Sequence, residues 1–158
     1  MGLLKTYTHN MKGFTLIETM VALSILILIL GLGLVTSLDS YRAYLFRSES
    51  QNIIAGIAKV RSEALTNKNE SPHGICFDGD QKRLVLFVGS SYQTGVNPLS
   101  IDINPETVIS SIPNVFSCLN GGIVFTQLSG TTTPISIQVV QNGKVSTTSI
   151  SYEGTIHW

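Results

Sequence analysis

The chain has 158 residues, a formal net charge of zero and only 13% charged residues, with a mean hydropathy of +0.28. That length holds one small domain plus an appendage, and the hydropathy is high for a wholly soluble domain, its excess lying near the N-terminus. From residue 70 onward Glu70, Asp78, Asp80, Asp102, Glu106 and Glu153 are set against Lys82, Arg83 and Lys144, so this half is mildly acidic and a poor electrostatic match for nucleic acid.

Residues 1–13 carry Lys5 and Lys12, no acid, and end in Gly13. A secretory signal places its small-residue cleavage site after the apolar run. Here the small residue comes first, so a cut at Gly13 removes a basic leader and keeps the apolar segment. Leu16 to Val35 amounts to about 20 residues, roughly 30 Å as a helix, enough to span a hydrocarbon core. The two lysines before the span, with few basic residues just after it, put the leader in the cytoplasm. Glu18 is the one charged residue between Lys12 and Asp39. A carboxylate near a bilayer interior costs about 2.5–3.5 kcal/mol and calls for a partner. Translation from Met11 shortens the leader without changing the reading.

Beyond the span, Asp39 to Lys68 contains no proline and no glycine except Gly56. Ile53, Ile57, Val60 and Ala64 recur at helical spacing, with Ile54, Ala58 and Leu65 beside them, while Gln51, Lys59, Ser62 and Glu63 form the polar side. The pattern predicts one long helix, ended by Asn67, Asn69, Ser71 and Pro72. An amphipathic helix inside an unrelated domain has the same periodicity.

From His73 the texture changes to short β-branched runs between turn residues. "GICFDGDQKRLVLFV" reads as a hairpin around Asp78-Gly79, where Asp78 and Asp80 suggest either a calcium loop lacking its downstream ligands or a plain turn. Residues 90–113 read as loop-rich. "GGIVFTQLSG" reads as a strand. "ISIQVVQNGKVSTTSISY" reads as a hairpin through a type I′ turn at Asn142-Gly143. Ile135, Ile137 and Val139 share one face. Val145, Ile150 and Tyr152 change parity, which predicts a bulge. Cys76 and Cys118 fit either a structural disulfide, if this half lies outside the cytoplasm, or two buried thiols.

"KGFTLIE" resembles the class III signal of type IV prepilins and type II secretion pseudopilins, matching in order the basic residue, glycine, phenylalanine, threonine, leucine, isoleucine and glutamate. The resemblance implies cleavage between Gly13 and Phe14 by a prepilin peptidase, N-methylation of Phe14, and an assembly role for Glu18, which pairs with the N-terminal amine of a neighbouring subunit. One helical turn separates Phe14 from Glu18, so the carboxylate can also pair with its own amine before assembly. Gly31 and Gly33 are then either a point of partial melting during assembly or a close helix contact.

"SQNIIAGIAKVRSEALTNKN", "GGIVFTQLSG" and "SISYEGTIHW" resemble the H-type minor pseudopilins (GspH) and their FimT and FimU pilus relatives. The implied fold is α+β and pilin-like: a leader over 1–13, a long helix over 14–69 that is transmembrane at about 16–35, and a small antiparallel β-sheet head over 70–158 on which the helix packs. The implied function is that of a minor pseudopilin or minor pilin, at or near the tip of a type II secretion pseudopilus or type IV pilus. The implied partners are other pilins, the prepilin peptidase, the inner-membrane assembly platform and membrane lipid. The implied place is the bacterial inner membrane, single-pass, with a periplasmic head, and then the filament.

An alternative is a DNA-binding minor pilin for natural transformation. FimT-like proteins of that kind end in glycine–arginine–any–arginine, whereas Gly154, Thr155, Ile156 and His157 stand here without arginine. A third reading is an anchored periplasmic domain unrelated to filaments. No enzyme constellation or cofactor motif stands out: His9, His73 and His157 lie beside no nucleophile motif. The expectation is a peptidase substrate rather than an enzyme, with no cofactor and no metal.

Overall fold

The computed structural model describes Gly13 and residues 15–158. The chain divides at Tyr41 into two units, although one helix, α1 (Leu16–Leu65), runs through the division. The first unit is the N-terminal part of that helix. It contains an 18-residue stretch of mean hydropathy 2.6, long and apolar enough to cross a membrane, and the large apolar side chains of residues 16–32 are exposed.

The second unit, Arg42–Trp158, is the head. Ile53, Ile57, Val60 and Ala64 of α1 are at most 1% exposed. The buried stripe is narrower than the sequence predicts: Ala58 and Leu65 remain exposed. Gly56 explains itself here, because a Cβ at that position would stand 3.1 Å from Ile75 Cδ1, so its absence lets the helix backbone approach the first strand closely. At the helix end the Leu128 amide donates to the Ala64 carbonyl at 2.9 Å and the Thr66 hydroxyl to the Ser62 carbonyl at 2.9 Å. These add donors to carbonyls of the last helical turn, where the regular ladder runs out. Asn67 then takes left-handed backbone angles, and a single 3-10 turn follows at Lys68–Glu70.

The head holds two antiparallel sheets. In chain order the strands are β1 (His73–Asp78), β2 (Arg83–Val88), β3 (Val96–Asp102), β4 (Val108–Ile112), β5 (Ile123–Phe125), β6 (Ile135–Gln141), β7 (Lys144–Ile150) and β8 (Ile156–His157). One sheet has the order β3-β2-β1-β5 and the other β4-β6-β7-β8. The α1 stripe, Ile75, Phe77, Leu84 and Phe125 of the first sheet, and Ile135, Ile137, Val139 and Ile150 of the second form one core. The opposite face of β1 and β2 carries a smaller cluster of Cys76, Val85, Phe87 and Cys118. Burial on both faces is why β1 and β2 read as continuous apolar runs rather than alternating ones.

Two sequence expectations are corrected. Residues 90–113 are not mainly loop, since β3 and β4 lie there. Both are sheet edges whose side chains are largely exposed, so neither shows the apolar alternation that marks a half-buried strand. Nor does β7 bulge: its pairing with β6 is continuous from Ile135↔Ile150 to Gln141↔Lys144. Thr148 and Ile150 take the inward positions, Val145 faces out, and exposed Tyr152 lies beyond the strand. Asn142 and Gly143 both have positive φ, 50° and 75°, as a type I′ turn requires.

Candidate functional site

In the first unit the candidate site lies at the helix start. Gly13 is exposed, and a Cβ placed on it would meet nothing within 4 Å. Phe14, like Lys5, His9 and Lys12, lies outside the described residues. Thr15 precedes the helix, and its Oγ1 accepts a hydrogen bond from the Glu18 amide at 3.3 Å. Its carbonyl accepts from the Thr19 amide at 3.2 Å. Thr15 is therefore the N-cap and Glu18 the third helical residue, half of the reciprocal arrangement known as a capping box. The Thr-x-x-Glu spacing carries this signal in the sequence, yet reading it only as part of a processing motif misses the cap.

The cap has an electrostatic consequence for Glu18. Its carboxylate sits in the first turn, where the unpaired amides of a helix start favour negative charge. Other polar side chains nearby are satisfied by the helix itself: Thr19 Oγ1 donates to the Leu16 carbonyl and Ser24 Oγ to the Met20 carbonyl, both at 2.8 Å. Glu18 is exposed and forms no ion pair among the described residues. Over residues 16–32 the site is thus an apolar exposed helix stretch with one carboxylate in its first turn.

In the head, Cys76 and Cys118 are joined in a disulfide with their Cα atoms 4.8 Å apart. The bond ties β1 to the short 3-10 turn at Cys118–Asn120. Asp78 serves its own turn: Oδ1 accepts from the Asp80 and Gln81 amides, each at 3.1 Å, and Oδ2 lies 3.4 Å from Arg83 Nε. That use of the carboxylate fits the turn reading over a calcium loop. Lys82 stands 5.9 Å from the Phe77 ring centroid, so Lys82 and Arg83 both have partners at this hairpin. His73 is buried in β1, with Nδ1 3.0 Å from the Ser71 carbonyl oxygen, and His157 is in β8 of the other sheet. Among the described residues no group of three or more His, Cys, Asp or Glu could hold a metal ion.

With this geometry in view, comparison with known proteins is informative. Residues 8–34 match the prokaryotic N-terminal methylation motif. The structure of the minor pseudopilin EpsH from the type 2 secretion system of Vibrio cholerae superposes with a TM-score of 0.51 at 13% identity, covering 70% of this chain and 93% of that one. A crystal structure of the same pseudopilin gives 0.51 at 14% identity, covering 74% and 94%. No curated protein sequence matches the chain. The chain thus joins a prokaryotic N-terminal methylation motif to a pilin-like fold. Within that fold its architecture, a long helix followed by two small antiparallel sheets, is the one seen in the minor pseudopilin EpsH.

Proposed function

We propose that the chain is a minor pseudopilin or minor pilin, a structural subunit rather than an enzyme. It is made with a leader that the prepilin peptidase removes between Gly13 and Phe14, and Phe14 is then N-methylated. The mature chain crosses the inner membrane once, with its head in the periplasm. From there the assembly platform passes it into a type II secretion pseudopilus or a type IV pilus, at or near the tip. The observation that carries this reading is the combination in the first unit: a methylation motif at the start of an exposed apolar helix stretch, residues 16–32, whose one carboxylate, Glu18, is the fifth residue after Gly13.

The physical logic is charge pairing. A mature Phe14 has a free cationic amine, and Glu18 is an anion in the same apolar setting. Docking that joins the glutamate of one subunit to the amine of the next neutralises both where attraction is stronger than in water. Leaving one of them unpaired on docking costs several kcal/mol.

Two variants of the full chain in its native host separate processing from assembly. Gly13→Val places a branched side chain at the cut and is expected to leave the leader attached, read as slower mobility of the membrane-bound chain on immunoblots. Glu18→Val is expected to be processed normally but to fall at least tenfold in sheared filaments. Wild-type recovery of Glu18→Val in filaments would refute the pairing.

A further inference from the structure

The two sulfurs of the head's disulfide are held very differently, and thiol–disulfide exchange depends on which sulfur an incoming thiolate can reach. Cys76 sits in the middle of β1, opposite Val85 of β2, in a ladder that is continuous from His73↔Val88 to Asp78↔Arg83. It is fully buried and clusters with Val85 and Phe87. The backbone of Gly122 lies against it, since a Cβ on that glycine would stand 2.7 Å from the Cys76 Cβ. Cys118 belongs to no strand. It opens the 3-10 turn Cys118–Asn120 and is 6% exposed. It also lines a cavity of about 350 Å³ with Phe77, Tyr92, Gln93, Ser117 and Leu119, and Cys76 does not. The turn itself is loosely held. Its entry is anchored by the Phe77 amide, which donates to the Phe116 carbonyl at 2.7 Å. From residues 118–121 only three bonds leave the 113–122 loop among the described residues, and all are long. Gln93 Nε2 donates to the Cys118 and Leu119 carbonyls at 3.4 and 3.3 Å, and the Tyr92 amide to the Gly121 carbonyl at 3.3 Å. Leu119 and Asn120 are exposed. A turn of this kind opens locally at far smaller cost than a strand laddered along its whole length.

We propose that Cys118 is the exchange site of this disulfide, the sulfur at which an external thiol opens the bond and through which an external disulfide first makes it. The proposal concerns the head alone and stands or falls apart from the assembly reading. In the opening direction a thiolate bonds to Cys118 Sγ and the Cys76–Cys118 bond breaks. Cys76 leaves with the electron pair and takes a proton from water. A second thiol then displaces Cys118, so the head gains two electrons and the external thiols end joined as a disulfide. Formation runs in reverse. The Cys118 thiolate attacks an external disulfide, and the Cys76 thiolate then displaces the external sulfur from Cys118. The reaction that completes the head is therefore a two-electron dithiol oxidation by a disulfide donor, with Cys118 as the attacking and Cys76 as the resolving cysteine. Burial among apolar side chains disfavours the Cys76 thiolate. Once released, Cys76 is slow to attack back, and the mixed disulfide on Cys118 lives long enough to be trapped.

The test uses the full chain in detergent, with reduced glutathione as the thiol. A brief reaction under native conditions is stopped with acid, free thiols are alkylated, and the glutathione adduct is located by peptide mass spectrometry. The adduct is expected on Cys118 in about tenfold or greater excess over Cys76. In a second arm Cys76→Ser and Cys118→Ser each leave one thiol, which is titrated with an aromatic disulfide reagent. Cys118 should react about tenfold or more faster than Cys76 in the native chain, and the two at equal rates in urea. The first arm needs no variant and decides the matter if either variant fails to fold. An adduct shared equally, or lying chiefly on Cys76, would overturn the proposal. So would reduction that proceeds only as fast as global unfolding followed through Trp158 fluorescence, because the turn would then offer no entry of its own.

Discussion

Residues 16–32 and 53–64 of the same helix use the same apolar vocabulary and meet opposite surroundings. In the first stretch the large apolar side chains are 51–78% exposed; in the second, Ile53, Ile57, Val60 and Ala64 are at most 1% exposed. The second stretch has its stripe of apolar residues on one side and a sheet core to receive it. The first is apolar on every side, and a helix of that kind is stable only in lipid or among other helices. The head carries its own hydrophobic partner within the chain, whereas the N-terminal helix depends on surroundings that other molecules supply.

That contrast can be broken or sharpened by substitution, and the largest effect is expected in the head. Replacing both cysteines by serine opens a link between residues 42 apart in sequence, and the chain-entropy model assigns such a link about 4 kcal/mol. The check is a chemical-denaturation midpoint of the detergent-solubilised chain, followed through Trp158 fluorescence; an unchanged midpoint would contradict it. Next comes Ile57→Ala, which empties a fully buried position and should destabilise the head by about 3 kcal/mol. Ile27→Ala, an equal truncation in the exposed stretch, should leave the same midpoint unmoved, and equal effects would erase the distinction between the two regions.

Smaller effects test local geometry. Thr15→Ala removes the hydroxyl that caps the helix start, a loss of about 1 kcal/mol. Hydrogen exchange of the Glu18 amide in a bilayer mimetic should then quicken about fivefold, and unchanged exchange would deny the cap. Smallest is Val145→Thr, expected within about 0.5 kcal/mol of wild type because the side chain faces solvent. Val139→Thr puts a hydroxyl into the core and should cost about 1–3 kcal/mol. A reversal of that order would restore the bulge that the register excludes.

How much of this was legible in the sequence depends on where each signal arises. The α1 stripe and the β1–β2 and β6–β7 hairpins are local patterns, and they read correctly from spacing and turn residues. β4 exists through pairing with β6, which lies well further along the chain, and β3, although it follows β2 directly, is like β4 an edge that buries too little to alternate. Val145 is an apolar residue that points outward, so its position gives a false parity, whereas β7 keeps register by placing Thr148 in the core. At the N-terminus the processing motif is contiguous and plain. Under the proposed assembly the partner of Glu18 lies in another chain or at Phe14, so no reading of this helix alone contains it.

The stripe from Ile53 to Ala64 also sets how the molecule bears mechanical load. Its four side chains are spread over about three turns, roughly 16 Å along the helix axis. An axial push or pull on α1 therefore strains all four contacts together, in shear, instead of peeling them apart one by one. Gly56 adds to this by bringing the helix backbone against Ile75, between Ile53 and Ile57 of the stripe. A head fastened in this way resists force along the helix far better than force that lifts the helix away.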